Sequence, residues 1–302
     1  MGRTTAPEPY LQELANGVYA YVQPDGGWCL SNSGILAGGL LVDTAATQRR
    51  ARALRAAVTS VTTAPPKILV NTHHHGDHTY GNGLFPEAVI VGHDECPAAM
   101  REQGLVLTQL WTDVEWGDLE IVPPSLTFPD RLSVRSGDVP VELIHVGPAH
   151  TTNDVVAWLP EQRILFTGDI VITTATPFVL MGSVAGSLAA LDLLGTLQPE
   201  IVVPGHGPVG GPELFDRTEG YLRRVQELAR YGVAEGLSPL TLAAETDLGE
   251  YGEWLDSERI VGNLHRAYAE EQGEPRGAKL DDLAIIMEMV TYNGGKIPTC
   301  LA

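Results

Sequence analysis

Four imidazoles and a carboxylate crowd into His73-His74-His75-Gly76-Asp77-His78, a few residues after the apolar run Ile68-Leu69-Val70. Such a run reads as a short buried strand that delivers a polar cluster at its end. The spacing His73-x-His75-x-Asp77-His78 serves no apolar core, because buried imidazoles and carboxylates cost free energy unless something pairs them. Their donor atoms suit zinc, with iron or manganese as alternatives. The spacing divides them between two ions, with His73 and His75 on one side and Asp77 and His78 on the other. His74, between two candidate ligands, is expected to point away from both.

The remaining candidates follow the same local pattern. His150 ends Val146-Gly147-Pro148-Ala149, Asp169 follows Ile164-Leu165-Phe166-Thr167-Gly168, and His206 follows Ile201-Val202-Val203-Pro204-Gly205. Each comes just after a strand-like run, the way loops at one edge of a rigid scaffold converge on a site. A consistent assignment gives His73, His75 and His150 to one metal, and Asp77, His78 and His206 to a second. Asp169 bridges them. Two zinc ions about 3.5–4 Å apart supply both a nucleophile or base at neutral pH and a Lewis acid for a carbonyl, with Asp77 and Asp169 as the catalytic carboxylates. Asp43, ending the run Leu40-Leu41-Val42, is a candidate to orient a ligand imidazole from behind.

Along the chain, residues 1–12 read as a loose lead-in, 17–22 as a strand, and Ser31–Asp43 as a hairpin bent at Gly38-Gly39. Residues 47–60 read as a helix with Leu54 on its apolar face. A strand follows at 88–91, a helix near 95–103, a lid or loop over 111–124, and strands near 125–128, 131–135, 141–146, 155–159 and 164–167. Residues 184–197 are helical, and so are the patterns near 212–235, 238–246, 256–271 and 279–292. This order predicts an α+β fold, with strands and helices in layers over residues 1–210 and a helical region over 211–302 packed on them.

With 302 residues, 44% of them hydrophobic and 19% charged, the chain reads as an ordinary globular protein with one large core, or one core and an appendage. No apolar run is long enough to span a bilayer, and the N-terminus lacks a basic-then-apolar secretion pattern. Cys29, Cys96 and Cys300 are odd in number and scattered. They are expected as buried thiols in a reducing cytoplasm, not as a disulfide framework. The formal net charge of −19 argues against a nucleic-acid partner. An acidic protein partner would need a local basic patch, for which Arg49, Arg50, Arg52 and Arg55 are the candidate; otherwise they form the wet face of a helix.

The motif series His-x-His-x-Asp-His, isolated His, Gly-Asp, Gly-His resembles the metallo-β-lactamase superfamily over roughly residues 15–210. That resemblance implies a four-layer αββα sandwich with a dinuclear site at one edge of its two sheets. In the β-lactamases a cysteine commonly stands where this chain has Asp169, so the bridging aspartate is closer to the glyoxalase II-like, thioesterase-like branch.

Three further stretches, Gly26–Asn32, Thr176–Gly186 and Tyr292–Ala302, resemble the second-ring cyclases of bacterial type II aromatic polyketide pathways, the actinorhodin-type antibiotic routes. This implies an acyl carrier protein bearing a partly cyclised poly-β-ketone as partner and substrate, with both ring closure by aldol condensation and thioester hydrolysis at one site. The alternative is a glyoxalase II-like or lactonase-like hydrolase of a small thioester or ester, for which Arg223-Arg224 offers a carboxylate anchor. Trp28, Phe178, Met181, Ser183 and Asn293 are the candidate substrate contacts; the aromatic residues and Met181 equally suit a core, and Asn293 a helix cap. His93, His145 and His265 are read as structural. A homodimer through the helical tail stays open.

Overall fold

The computed structural model describes residues 6–302. One sheet holds seven strands in chain order: β1 (Tyr10–Ala15), β2 (Val18–Val22), β3 (Ser33–Leu36), β4 (Leu40–Val42), β5 (Ile68–Val70), β6 (Val89–His93) and β7 (Leu126–Phe128). β1 to β4 form an antiparallel meander, and from β4 onward the pairs are parallel. The second sheet holds β8 (Arg131–Ser136), β9 (Val139–His145), β10 (Val155–Leu159), β11 (Ile164–Phe166) and β12 (Ile201–Val203), antiparallel except for β11 and β12. Parallel neighbours need a crossover. Helix α1 (Gln48–Val61) supplies it between β4 and β5. The other helices are α2 (Gly76–Thr79), α3 (Cys96–Gln103), α4 (Val106–Leu110), α5 (Val184–Thr196), which crosses from β11 to β12, α6 (Glu213–Glu235), α7 (Pro239–Glu245), α8 (Arg259–Glu271) and α9 (Asp282–Tyr292).

Side-chain alternation builds the layers. In β2, Val18, Ala20 and Val22 face the other sheet while Tyr21 faces α1; in β10, Val155, Ala157 and Leu159 face inward while Val156 and Trp158 meet the helices. Every residue of β10 is buried, as expected of a strand covered on both faces. Thr47 caps α1 by accepting from Arg50 N, and Ala51, Leu54 and Val58 turn one stripe onto the first sheet. Leu54 is fully buried, which contributes about 2–3 kcal/mol. The order helix, sheet, sheet, helix is the expected four-layer sandwich.

The helical region shares its core with the second sheet. Tyr221, Leu222 and Val225 of α6 and Ile260, Val261 and Leu264 of α8 pack with Trp158, Leu165 and Val202. Polar side chains of α8 also reach across to the 173–183 loop. Asn263 donates to Pro177 O (2.8 Å) and accepts from Val179 N (2.9 Å), and Arg266 donates twice to Leu180 O (2.9 and 2.7 Å). The tail therefore fixes a loop that belongs to the sandwich.

Three expectations need correction. The lead-in is not loose from Tyr10 onward: β1 pairs with β2, and its weak alternation is that of a half-exposed edge strand. Residues 1–5 lie outside the described residues. The 111–124 stretch is a loop, but Trp111 and Trp116 are buried in it, and a short helix, α4, precedes it. The arginine run is not one wet face. Arg50 is buried, donating to Gln23 Oε1 (2.9 Å) and Leu301 O (2.6 Å), and Arg55 pairs with Glu87 (2.7 Å), leaving only Arg49 and Arg52 exposed. Among the described residues no helix is long and apolar enough to cross a membrane.

Candidate metal centre

Strand ends on both sheets deliver the clustered residues to one edge. His73, His75, Asp77 and His78 follow β5, with Asp77 and His78 in α2; His150 lies between β9 and β10, Asp169 in the turn after β11, and His206 after β12. His75 is half-buried and the other six are buried. Three subsets bring their donor atoms within 4.8 Å of one another: His73, His75 and His150; His73, His78 and Asp169; and Asp77, His78 and His206. Asp169 touches both halves. Its Oδ1 lies 3.1 Å from His78 Nε2, and its Oδ2 lies 3.5 Å from His150 Nε2 and 3.4 Å from His206 Nε2.

Contacts behind the cluster fix which nitrogen faces inward on four of its five rings; the fifth, His206, has its Nδ1 buried without a hydrogen-bond partner. Asp43 Oδ1 accepts from Thr72 N (2.7 Å), and Asp43 Oδ2 accepts from Thr72 Oγ1 (2.7 Å) and His78 Nδ1 (2.8 Å). With its own proton committed to Asp43, Thr72 Oγ1 accepts from His73 Nδ1 (3.0 Å). His150 Nδ1 donates to Phe178 O, and His75 Nε2 lies 3.2 Å from Met181 Sδ. A thioether can only accept, so His75 carries its proton on Nε2. The inward atoms are then His73 Nε2, His75 Nδ1 and His150 Nε2, each with a lone pair, and His78 Nε2, which faces Asp169 Oδ1.

This arrangement fits metal ions. His75 Nδ1 and His150 Nε2 face each other at 2.9 Å, and two lone pairs so close repel unless a cation or proton lies between them. His73 Nε2 is buried with no hydrogen-bond partner, which costs about 1–3 kcal/mol if left so, and His78 Nε2 and Asp169 Oδ1, 3.1 Å apart, meet no partner beyond each other. Imidazole and carboxylate in these numbers suit zinc.

The two halves differ electrostatically. Burial holds His73, His75 and His150 below the usual imidazole range. Burial also opposes charge on His78 and His206, but Asp169 and the other carboxylates outweigh it; His78 is pushed well up and His206 to about 9. Burial would raise Asp169, yet His206, His78 and His150 hold it well below the carboxylate range. Without a cation, protons on His78 and His206 balance Asp77 and Asp169. Metal uptake by that half therefore displaces protons.

A cavity of about 430 Å³ opens onto the cluster, exposing His75, Asp77, His150, Asp169 and His206 on its floor. Trp28, Trp111, Phe178 and Met181 wall it, and α9 and Ile297-Pro298 complete the side. Trp28 lies 5.5 Å from Trp111 and 5.2 Å from Phe178, centroid to centroid. Trp28, Phe178 and Met181 are thus brought to the site. Ser183 and Asn293 are not among the lining residues: Ser183 caps α5, accepting from Gly186 N (2.8 Å), and Asn293 ends α9 with its amide on Lys296 O (2.9 Å). Both side chains are spent on local caps. His74 turns away, its Nδ1 3.0 Å from Asn153 Nδ2. His93 and His145 stack on each other at 3.8 Å, and His265 bonds Glu288.

Several contributors escaped the sequence reading. Thr72 was detectable as a hydroxyl beside the first ligand. Trp111 and Arg259 carried no local signal, because distant packing brings them to the cavity, and Ile297-Pro298 stood out only as part of the Tyr292–Ala302 stretch. Arg259 stacks over Trp28, 3.9 Å from its ring centroid, and pairs with Asp256 at 3.1 Å.

Known proteins share this fold. Among curated relatives, the chain is 25% identical over 223 residues to the metallo-beta-lactamase type 2 of Bacteroides fragilis, covering 69% of this chain and 83% of that protein. It is 25% identical over 234 residues to the linear primary-alkylsulfatase of Pseudomonas sp. (strain ATCC 19151), covering 64% of this chain but only 44% of the sulfatase. Among solved structures, the DIM-1 metallo-beta-lactamase exposed to ceftazidime matches with a TM-score of 0.59 at 19% identity, over 73% of this chain and 99% of that one. The metallo-beta-lactamase from Pontibacter korlensis gives 0.58 at 21% identity, over 72% and 99%. The family profile of the metallo-beta-lactamase superfamily matches residues 26–206. Because that profile runs over more than half of the chain and takes in all seven clustered residues, the chain belongs to the metallo-beta-lactamase superfamily.

Proposed function

We propose that this metallo-beta-lactamase-fold protein is a dinuclear-metal cyclase and thioesterase, acting on an aromatic polyketide intermediate carried by an acyl carrier protein. The superfamily's members are mostly metal-dependent hydrolases, and the relatives' names, a β-lactamase and an alkylsulfatase, set no common substrate. The observation that carries the reading is the cavity wall. The three stretches that resemble the second-ring cyclases meet there: Trp28 and Cys29 from the first, Phe178 and Met181 from the second, Ile297 and Pro298 from the third. Flat rings and thioethers around about 430 Å³ suit a planar, partly aromatised ligand, within the usual 300–1,000 Å³ of small-molecule sites.

Charge in the cavity favours the same substrate class. Among the described residues, Arg259 is its one basic lining residue besides the floor histidines, and it is already paired with Asp256. Arg223 and Arg224 lie on the exposed face of α6, paired with Glu219 and Glu227. They offer no anchor for a glutathione-like carboxylate at the site.

Two divalent ions held by the cluster would supply Lewis acidity and a nucleophile or base at neutral pH. The rings of Trp28, Trp111 and Phe178 orient the flat substrate and exclude water. Asp77 and Asp169 are the carboxylates lining the cavity. A methylene between two carbonyls is acidic, and Asp77 is placed to take its proton; the resulting carbanion closes on a carbonyl carbon and the proton returns to the new alkoxide oxygen. At the same floor water adds to the thioester carbonyl and the C–S bond breaks, giving the free acid and the carrier thiol, which takes up the water's proton.

Intact-mass spectrometry of a carrier loaded with a monocyclic intermediate tests this. Metal-loaded protein should return the carrier to its unloaded mass and release a bicyclic acid, and Asp169→Ala should not. A carrier that stays loaded while its cargo loses water leaves a cyclase without thioesterase activity. No change in either, with turnover of small thioesters, replaces the proposal with a glyoxalase II-like hydrolase.

A further inference from the structure

We infer that Met181, besides walling the cavity, is the positioning residue that makes His75 a metal ligand through its Nδ1. A histidine that binds a metal nearly always donates its other N–H to a carboxylate, a carbonyl or water. His78 uses Asp43, His73 uses the Thr72 hydroxyl, and His150 uses Phe178 O. Among the described residues His75 meets no such group. The contact found at its outer nitrogen is Met181 Sδ, 3.2 Å from Nε2. Sulfur cannot donate, so this contact places the proton on Nε2 and leaves Nδ1 bare toward His150.

The backbone around Met181 is built to hold it there. A Cβ on Gly182 would lie 2.0 Å from Ala149 O and 2.5 Å from His150 C, so only glycine lets this loop approach the His150 backbone so closely. One loop therefore serves two ligands: Phe178 O orients His150, and Met181 Sδ orients His75. Asn263 and Arg266 of α8 pin that loop at Pro177, Val179 and Leu180, so the sulfur does not depend on the flexibility of a free methionine. A thioether is a weak acceptor, which makes His75 the most weakly oriented of these four imidazoles.

The test is metal affinity, measured on metal-stripped protein by zinc competition with a chromophoric chelator, together with the visible spectrum of the cobalt form. Met181→Leu conserves volume but removes the acceptor. It is expected to weaken one zinc equivalent about tenfold and shift the cobalt bands. Met181→Gln returns an acceptor oxygen and is expected to restore affinity to within about threefold, even where it harms turnover. Met287→Leu, elsewhere on the cavity wall, should leave both equivalents unchanged. Wild-type affinity and spectrum in Met181→Leu would reduce Met181 to a wall residue and overturn the inference. So would a glutamine variant no better than leucine.

Discussion

Asp43→Asn isolates the hydrogen-bond logic of the site with the smallest change of shape. Asp43 sits at φ 58°, a left-handed conformation that asparagine adopts as readily as aspartate. The retained oxygen can stay on Thr72 N, which now gives Oδ1 a 2.7 Å bond. The new amide nitrogen then replaces Oδ2 and meets His78 Nδ1–H at about the present 2.8 Å, donor against donor. The cheapest relief reverses the His78 tautomer, with Nδ1 accepting from the amide and the proton moving to Nε2, where the metal should bind. Thr72 Oγ1 can accept from both the introduced amide and His73, so the other half is spared. A hydrogen bond to a charged group is worth about 1.5–3 kcal/mol, and losing an outer partner costs about 10–100-fold in metal affinity; the two scales agree. Zinc titration should therefore show one equivalent weakened about 10–100-fold and the other within about threefold, with His206→Ala marking which half is lost. Equal loss at both equivalents, or none, would refute the tautomer argument.

Three other outcomes follow from contacts around the site. Gly205→Ala places a Cβ 1.9 Å from Asp169 Oδ1; bound zinc measured by mass spectrometry should fall below two per chain while the circular dichroism spectrum is kept. Trp111→Phe removes the indole donor to Pro298 O (2.7 Å), worth about 1 kcal/mol, so carboxypeptidase should trim the C-terminal tail about fivefold faster. The Cys29 thiol is pushed well up by its contact with Cys300 and by burial, so iodoacetamide at pH 8 should label it far more slowly than a free thiol, and Cys300→Ser should keep turnover.

The metal cluster was legible because its signals are local. The clustered residues follow apolar runs, four of the seven (His75, Asp77, Asp169 and His206) stand beside a glycine, and the strand ends do the converging. β5, β10 and β11 were readable for the same reason, as continuous apolar stretches. Arg50 was not, because whether an arginine is wet or buried is decided by a partner 251 residues away, Leu301 O. Ser183 and Asn293 failed for a related reason. A small polar residue beside a helix end satisfies the backbone there first, and only the three-dimensional arrangement shows that neither residue is among those lining the cavity. β1 was missed because its sequence, Tyr-Leu-Gln-Glu-Leu-Ala, alternates too weakly to stand out as an edge strand.

Much of the cavity wall lies outside the residues that the profile matches. That profile ends at His206, so α6 to α9 and the last ten residues are not part of it. Yet α8 pins the loop that carries Phe178 and Met181, α9 walls the cavity, and Ile297-Pro298 lies beside Trp111. The sandwich supplies the seven clustered residues and the Trp28, Trp111, Phe178 and Met181 part of the cavity wall, and the tail completes that wall with α9 and Ile297-Pro298. On the proposed function, substrate choice and His75 orientation are coupled through one loop. A substitution in α8 that frees Leu180, such as Arg266→Met, should disturb both at once: zinc affinity of the His73–His75–His150 half and preference for planar over small flexible thioesters. A change confined to substrate preference would mean that the tail shapes the cavity without touching the metal centre, and the coupling argument would fail.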